Sequence, residues 1–207
     1  MAKQDITIDT KQLNRLTIEL KGFENKVGIA TYHALQRTID QTITQVGRIV
    51  PKAYAIKAKE VKESFAGGIK RPTISDLTAS ITSRGHTLSL AHFPFTPTKP
   101  QISGRRRRVA VTIKKSGGKK TINTSPLPFI ATTGAQSPDK TQFNVFRREG
   151  KARLPIHVLR TLSVPQMITN ENVGEQIQEF AAAKLDERLE HEITRAMTSM
   201  SESIRRG

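Results

Sequence analysis

The chain has 207 residues, a length that suits one domain with or without an extended appendage, and a formal net charge of +16. Cysteine is absent, which excludes a disulfide framework, a thiolate nucleophile and a zinc ribbon. Hydrophobic residues make up 36% of the chain, aromatics 5%, and Trp is missing, so the core must be aliphatic and lean, as in a protein that hides further surface on assembly. Met1-Ala2-Lys3-Gln4-Asp5 lacks the apolar stretch of a signal peptide, and no apolar segment reaches the roughly 18 residues of a membrane span. The protein is therefore expected to be made and kept in the cytoplasm, or packed into something assembled there, with no membrane contact.

Asp5-Ile6-Thr7-Ile8-Asp9 alternates polar and apolar and predicts a short strand. Leu13, Leu16, Leu20, Phe23 and Val27 recur at helical steps, with Gly22 and Gly28 leaving open one rod or two helices. A clearer helix is predicted from about Ile29 to Ile49, burying Leu35, Ile39, Ile43, Val46 and Val50, with Pro51 expected to end it. Ala58, Val61 and Phe65 mark another helical segment, closed by Gly67-Gly68. The period then changes. Leu77, Ala79 and Ile81 alternate, as do Leu88 and Leu90, and Ser83-Arg84-Gly85-His86 between them suggests a hairpin. Pro94, Pro97 and Pro100 interrupt regular structure before a third strand at Val109, Val111 and Ile113. Three more strands are expected around 129–132, 142–146 and 156–159, with Gly134 and Pro138 marking a turn between the first two. Ser163-Val164-Pro165-Gln166 fits a capping box that opens a terminal helix with Val173, Ile177, Ala181, Leu185, Leu189, Ile193, Met197 and Ile204 at helical spacing. No internal repeat is visible. The expectation is a single domain over 1–207: a helical region at 29–66, a mainly β part at 74–160 with a basic loop at 94–121, and a C-terminal helix at 163–206.

Charge is distributed unevenly. Between Lys70 and Lys120 stand twelve Lys/Arg against one acid, Asp76, a net of +11. The densest part is Arg105-Arg106-Arg107-Arg108, followed by the strand at 109–113 and then by Lys114, Lys115, Lys119 and Lys120 around Gly117-Gly118. From Glu171 onward eight acids face five bases, a net of −3. Scattered lysines would suffice to protect a strand edge from unwanted pairing. Four consecutive arginines and two lysine pairs exceed that need and predict contact with a polyanion through Arg105 to Arg108, Lys114, Lys115, Lys119 and Lys120. The nearest rings are Phe93, Phe95 and Phe129, so phosphate contact without base stacking or sequence readout is the form to expect. The acidic last segment allows charge pairing within the fold or between copies.

Enzyme signatures are weak. The histidines at 33, 86, 92, 157 and 191 form no metal-ligand spacing. Glu187 and His191 share a helix face, where a salt-bridged surface explains them better than a metal. Gly117-Gly118-Lys119-Lys120-Thr121 resembles the end of a phosphate loop, but Lys120 replaces the Ser/Thr and Ile113 stands where the first glycine belongs. No G-x-S-x-G elbow occurs, and no cofactor, metal site or catalytic group is expected.

The order of parts carries a resemblance. A helical region rich in Ala, Gln and Thr (Ala30 to Phe65) precedes strands, a polyarginine run and a Gly/Lys turn. Pro128-Phe129-Ile130, Phe143-Asn144-Val145-Phe146-Arg147-Arg148, Leu154-Pro155-Ile156-His157-Val158 and Ser163-Val164-Pro165 follow. From about Ile29 to its end the chain resembles the minor tail protein Z family of long-tailed bacteriophages and prophages, the tail-completion proteins. The resemblance implies a structural protein of the virion tail or neck, assembled in the host bacterial cytoplasm, that completes the tail and joins it to the DNA-filled head. It implies as partners further copies in a ring, by analogy a hexamer, the connector or head-closure proteins, the tail terminator or tail tube proteins, and phage DNA in the channel. The expected fold is α+β, an antiparallel sheet flanked by long N-terminal and C-terminal helices, with a projecting basic hairpin or loop. The alternative is a free, sequence-independent nucleic-acid-binding protein associated with the nucleoid or the ribosome.

Overall fold

The computed structural model describes residues 4–7, 24–101, 107–137 and 140–206, with side chains over 26–101, 107–132 and 143–199. Two long helices dominate: α1 (Glu24–Ala53) and the terminal α4 (Glu171–Arg206), with short α2 (Ala58–Glu63) and α3 (Val164–Ile168) beside them. Among the described residues nine strands form three antiparallel sheets of three, one strand preceding the first long helix and eight lying between the two, so the architecture is α+β as expected, with the β part divided. Leu13, Leu16, Leu20 and Phe23 lie outside the described residues.

Helix α1 exists because its apolar positions return every three or four residues. Leu35, Ile39, Val46 and Val50 are wholly buried, each contributing about 1.5–3 kcal/mol through the apolar surface it removes from water. Ile43, expected in that stripe, is only partly covered. The buried face also includes Thr31, Thr38 and Thr42, which the apolar pattern does not reveal. Two of these hydroxyls donate back to the carbonyl four residues earlier, Thr31 to Val27 and Thr38 to Ala34, both at 2.8 Å. A threonine so bonded presents its methyl group outward and enters an apolar seam at little cost. Pro51 does not end the helix. It deletes one hydrogen bond near the end of α1, where few helical bonds remain to lose, and the Tyr54 amide still donates to Val50 at 2.9 Å.

The first sheet comprises β1 (Gln4–Thr7), β2 (Ile69–Lys70) and β3 (Ser80–Ser83), in the order β1-β3-β2. It replaces the hairpin expected over 77–90. Ile81 pairs with Ile6 and Ile69, while the Leu88–Leu90 segment bonds to residues 159–162, with Leu88 N to Leu162 O at 3.2 Å and Leu90 N to Leu159 O at 3.0 Å. Both runs thus alternate correctly but find distant partners. Gly67, at φ +68°, makes the turn out of α2, and Gly68 then passes against β3, accepting a 2.7 Å bond from Thr82 N. The central sheet is β4 (Phe95–Thr96), β5 (Ala110–Val111) and β6 (Lys120–Thr121), with β5 in the middle. Thr112 N to Pro94 O and Ile122 N to Val109 O lengthen its pairing at 3.0 and 2.8 Å. The third sheet is the long hairpin β7 (Phe129–Ser137) and β8 (Lys140–Arg148), with β9 (Ile156–Val158) on the β8 edge. Gly134 lies within β7, while Pro138 is outside the described residues.

Ser163 caps α3 as expected. Its hydroxyl accepts from Gln166 N, and Gln166 Oε1 accepts from Ser163 N at 2.9 Å, an arrangement worth about 1 kcal/mol. The box does not open the terminal helix directly, because α3 stops at Thr169 and α4 begins at Glu171. Along α4, Val173, Ile177, Ala181, Leu185, Leu189 and Ile193 are buried at steps of four, while Met197 is 52% exposed. Helices α1 and α4 are antiparallel neighbours. Arg37 reaches the buried Glu192 at 2.7 Å, and the first turns of α1 share a groove with the segment from Glu192 to Ser199. That ion contact is close but off-line for a hydrogen bond, so its attraction is chiefly coulombic. The three sheets and all four helices contribute to one buried cluster, which includes Leu35, Val61, Phe65, Ile81, Val109, Val145, Met167 and Leu185.

Candidate functional site

Strand β5 organises the basic residues. Arg107 and Arg108 lead into it, Val109 and Val111 anchor it in the core, and Lys114 and Lys115 leave it. Gly118, at φ +60°, helps the chain reverse towards β6, which Lys119 precedes and Lys120 opens. The hairpin therefore carries two groups of cations, arginines at the start of β5 and lysines at its far end. At the rise of an extended chain they lie about 20 Å apart. Arg107, Arg108, Lys114, Lys115, Lys119 and Lys120 are all exposed, whereas Arg105 and Arg106 fall outside the described residues.

The lysine end does not hang free. Ala55 N donates to Ile113 O at 2.8 Å, Lys115 N donates to Ala53 O at 2.9 Å, and Tyr54 bridges Lys114. The hairpin thereby occupies the Ala53 carbonyl at the end of α1, which would otherwise lack a helical partner, and accepts a bond from the Ala55 amide just beyond it. Positive charge at Lys114 and Lys115 also faces the negative end of the helix dipole, which already holds Lys52 in its last turn. Lys114 Nζ lies 5.9 Å from the centre of the Tyr54 ring, and burial pushes the Tyr54 phenol above its ordinary pKa.

Neighbouring groups decide which cations of the basic quarter remain available. Lys70 binds Asp76 at 2.9 Å and Arg71 binds Asp40 at 2.7 Å. The Lys70 ammonium, followed by the Thr78 hydroxyl, holds the Asp76 carboxyl below the usual range. By contrast, Arg107, Arg108, Lys114, Lys115, Lys119 and Lys120 contact no carboxylate among the described residues. Arg108 Nη1 donates to Asn123 Oδ1 at 3.0 Å and Lys119 Nζ to Thr96 Oγ1 at 2.7 Å, bonds to neutral groups that leave both charges uncompensated. The acids of α4 do not neutralise them. Glu187 pairs with Lys184, Glu192 with Arg37, and Glu179 and Asp186 are exposed on that helix.

Two cations outside the expected set join this surface. Lys99 and Arg148 line, with Arg107, a cleft between the second and third sheets. Each adjoins a visible sequence signal, Lys99 between prolines and Arg148 beside Arg147, but nothing local indicates that they meet. Among the described residues no group of three or more His, Asp or Glu side chains is placed to hold a metal, and no described helix is long and apolar enough to cross a membrane.

The chain is thus an α+β protein with paired long helices, a short central sheet and an exposed cationic hairpin that meets no carboxylate among the described residues. Comparison with known families makes the assignment more specific. The model of the prophage minor tail protein Z family matches residues 11–201, and the chain belongs to that family. It is a structural protein of the phage tail. No curated protein and no solved structure matches the chain.

Proposed function

We propose that this protein completes the tail and joins it to the DNA-filled head as one subunit of a homomeric ring, a hexamer, around the genome channel. The observation that carries the reading is the set of exposed cations at Arg107, Arg108, Lys114, Lys115, Lys119 and Lys120, none satisfied by a carboxylate among the described residues. A protein in a genome channel must tolerate phosphate without reading sequence, and cations without a stacking platform suit that task. Arg105 and Arg106 extend the same run in sequence. The acidic face of α4, where Glu171, Glu175 and Glu179 are exposed, offers a complementary surface for a neighbouring copy. In this reading the chain is a single unit acting by position and charge, with no catalytic step. Its other partners are the connector or head-closure proteins and the tail terminator or tail tube.

Salt titration of duplex binding tests the charge component. Affinity should fall with a log–log slope of about −0.9 per phosphate contact, whatever the DNA sequence. Replacing Lys114, Lys115, Lys119 and Lys120 with alanine should flatten that slope by about one unit for each phosphate no longer neutralised, while the melting curve stays in place. An unchanged slope would move the phosphate-binding surface off the hairpin. Strong preference for one sequence would instead support a free DNA-binding regulator. Mass measurement of the protein within purified particles tests the ring, and a single copy per particle would overturn it.

A further inference from the structure

Strand β5 has two faces, and one of them belongs to the core. Val109 and Val111 are 2% and 5% exposed, and Ile113, Phe95 and Ile122 pack against the same cluster. Side chains alternate along a strand, and partners in register share a face. Arg108, Ala110 and Thr112 therefore take the outer face, with Thr96 and Thr121 in register with Ala110. Two bonds confirm this assignment. Lys119 Nζ crosses β5 to reach Thr96 Oγ1 at 2.7 Å, and Arg108 Nη1 meets Asn123 Oδ1 at 3.0 Å. Thr121 and Asn123 are exposed, while Thr96, Ala110 and Thr112 are partly covered. We propose that this outer face of the central sheet is a platform for the sugar–phosphate backbone of duplex DNA. On it Thr96 and Asn123 position the Lys119 and Arg108 cations, and Thr112 and Thr121 add hydroxyl contacts.

The side chains on this face select the ligand. Phosphate and sugar contacts to DNA come from Arg and Lys together with hydroxyl and amide side chains, and the face carries Arg, Lys, Thr and Asn. Its apolar surface among the described residues is limited to Ala110 and the edge residue Pro94. A protein partner would look for an apolar or aromatic anchor, and Phe95, the ring of β4, packs toward the core instead. With that ring turned inward the face also lacks the stacking surface on which single strands depend. Both bonds run to neutral oxygens, so neither consumes charge, and Lys119 and Arg108 contact no carboxylate among the described residues. They hold two long side chains in place before a phosphate arrives, which lowers the ordering cost of association. Arg107, one residue earlier, turns the other way into the cleft with Lys99 and Arg148. The inference rests on the reading of the hairpin as a phosphate-binding surface, and names the neutral residues that surface uses.

Fluorescence polarisation of the full chain with a short labelled duplex, followed across a salt series, tests the platform. Thr96→Val and Asn123→Ala remove no charge, so each should weaken binding about threefold to tenfold at fixed salt and leave the log–log slope unchanged. Thr96→Ser keeps the hydroxyl and should bind like the natural protein. Thr121→Lys adds a cation to the face and should tighten binding and steepen the slope by about one unit, a gain that misfolding cannot imitate. Thr44→Lys, at an exposed position on α1, is the matched control and should leave the slope as it is. If the natural chain shows no salt-sensitive duplex binding, the phosphate-binding reading falls and the platform with it. A different result would sink the platform alone: binding that weakens on replacing Lys114, Lys115 and Lys120 but is untouched by Thr96→Val, Asn123→Ala and Thr121→Lys. Equal losses in Thr96→Ser and Thr96→Val would overturn the positioning role of that hydroxyl.

Discussion

Replacing Gly68 with alanine is expected to cost about 3 kcal/mol or more, placing it in the upper tail of single substitutions. A Cβ at this position would lie 2.0 Å from the Thr82 carbonyl oxygen, a backbone atom that cannot swing aside. Relief requires β2 to separate from β3, which breaks the Thr82 N to Gly68 O bond and disturbs the pairing of Ile81 with Ile69 and Ile6. For a chain of this size each kcal/mol shifts the melting temperature by about 2–4 °C, so a fall of about 6–12 °C should appear in a circular-dichroism melt. Gly28→Ala provides the contrast. It lies within α1 with nothing within 4 Å of the added carbon, so alanine should stabilise the protein by up to about 1 kcal/mol through helix propensity. If both substitutions melted like the natural protein, the close passage of residues 67–68 beside β3 would be wrong.

The second large effect concerns Glu192, a carboxylate only 4% exposed whose cationic neighbours all reach solvent. Arg37 approaches to 2.7 Å, while Arg195 and His191 stand off at 3.8 and 3.9 Å. The asymmetry in burial makes the two halves of the pair unequal. Arg37→Ala strands a buried charge and should cost about 2–3 kcal/mol, less than a wholly buried pair because Arg37 is about half exposed. Glu192→Gln removes the buried charge and leaves Arg37 to water, so its cost should stay near 1 kcal/mol or below. The double variant should resemble Glu192→Gln alone, because no charge remains to strand. Denaturant titration of the four proteins measures this cycle, and additive losses would show that Arg37 acts through packing alone.

Helix signals were legible because they are local. The α1 stripe, the Ser163 box and the step-of-four pattern through Val173 and Ile193 each lie within a few residues of their partners. The strands at 129–132, 142–146 and 156–159 were legible too, since consecutive antiparallel strands pair with their neighbours. The segment from Leu77 to Leu90 illustrates the limit. Alternation marks residues as extended but carries no information about which distant strand receives them, and here the partners were Ile6 and residues 159–162. Thr31 and Thr38 of α1 escaped a hydrophobicity pattern because their polarity is cancelled by a bond to the helix itself. At the candidate site the cation run was plain in the sequence, as was the strand that anchors it. The approach of Lys99 and Arg148 to Arg107 was not, because it depends on how two sheets pack.

The backbone bonds between the hairpin and the end of α1 bear on the thermodynamics of association. Lys114 and Lys115 are fixed by Tyr54, Ala53 and Ala55 before any polyanion arrives, so binding need not order the chain around them. Their exposed ammonium groups also bury little apolar surface on meeting phosphate. Association through this end of the hairpin should therefore show a heat-capacity change near zero, with the entropy of released counterions as its driving force. Such binding varies little with temperature and strongly with ionic strength, so for this surface salt, rather than heat or cold, sets when it lets go.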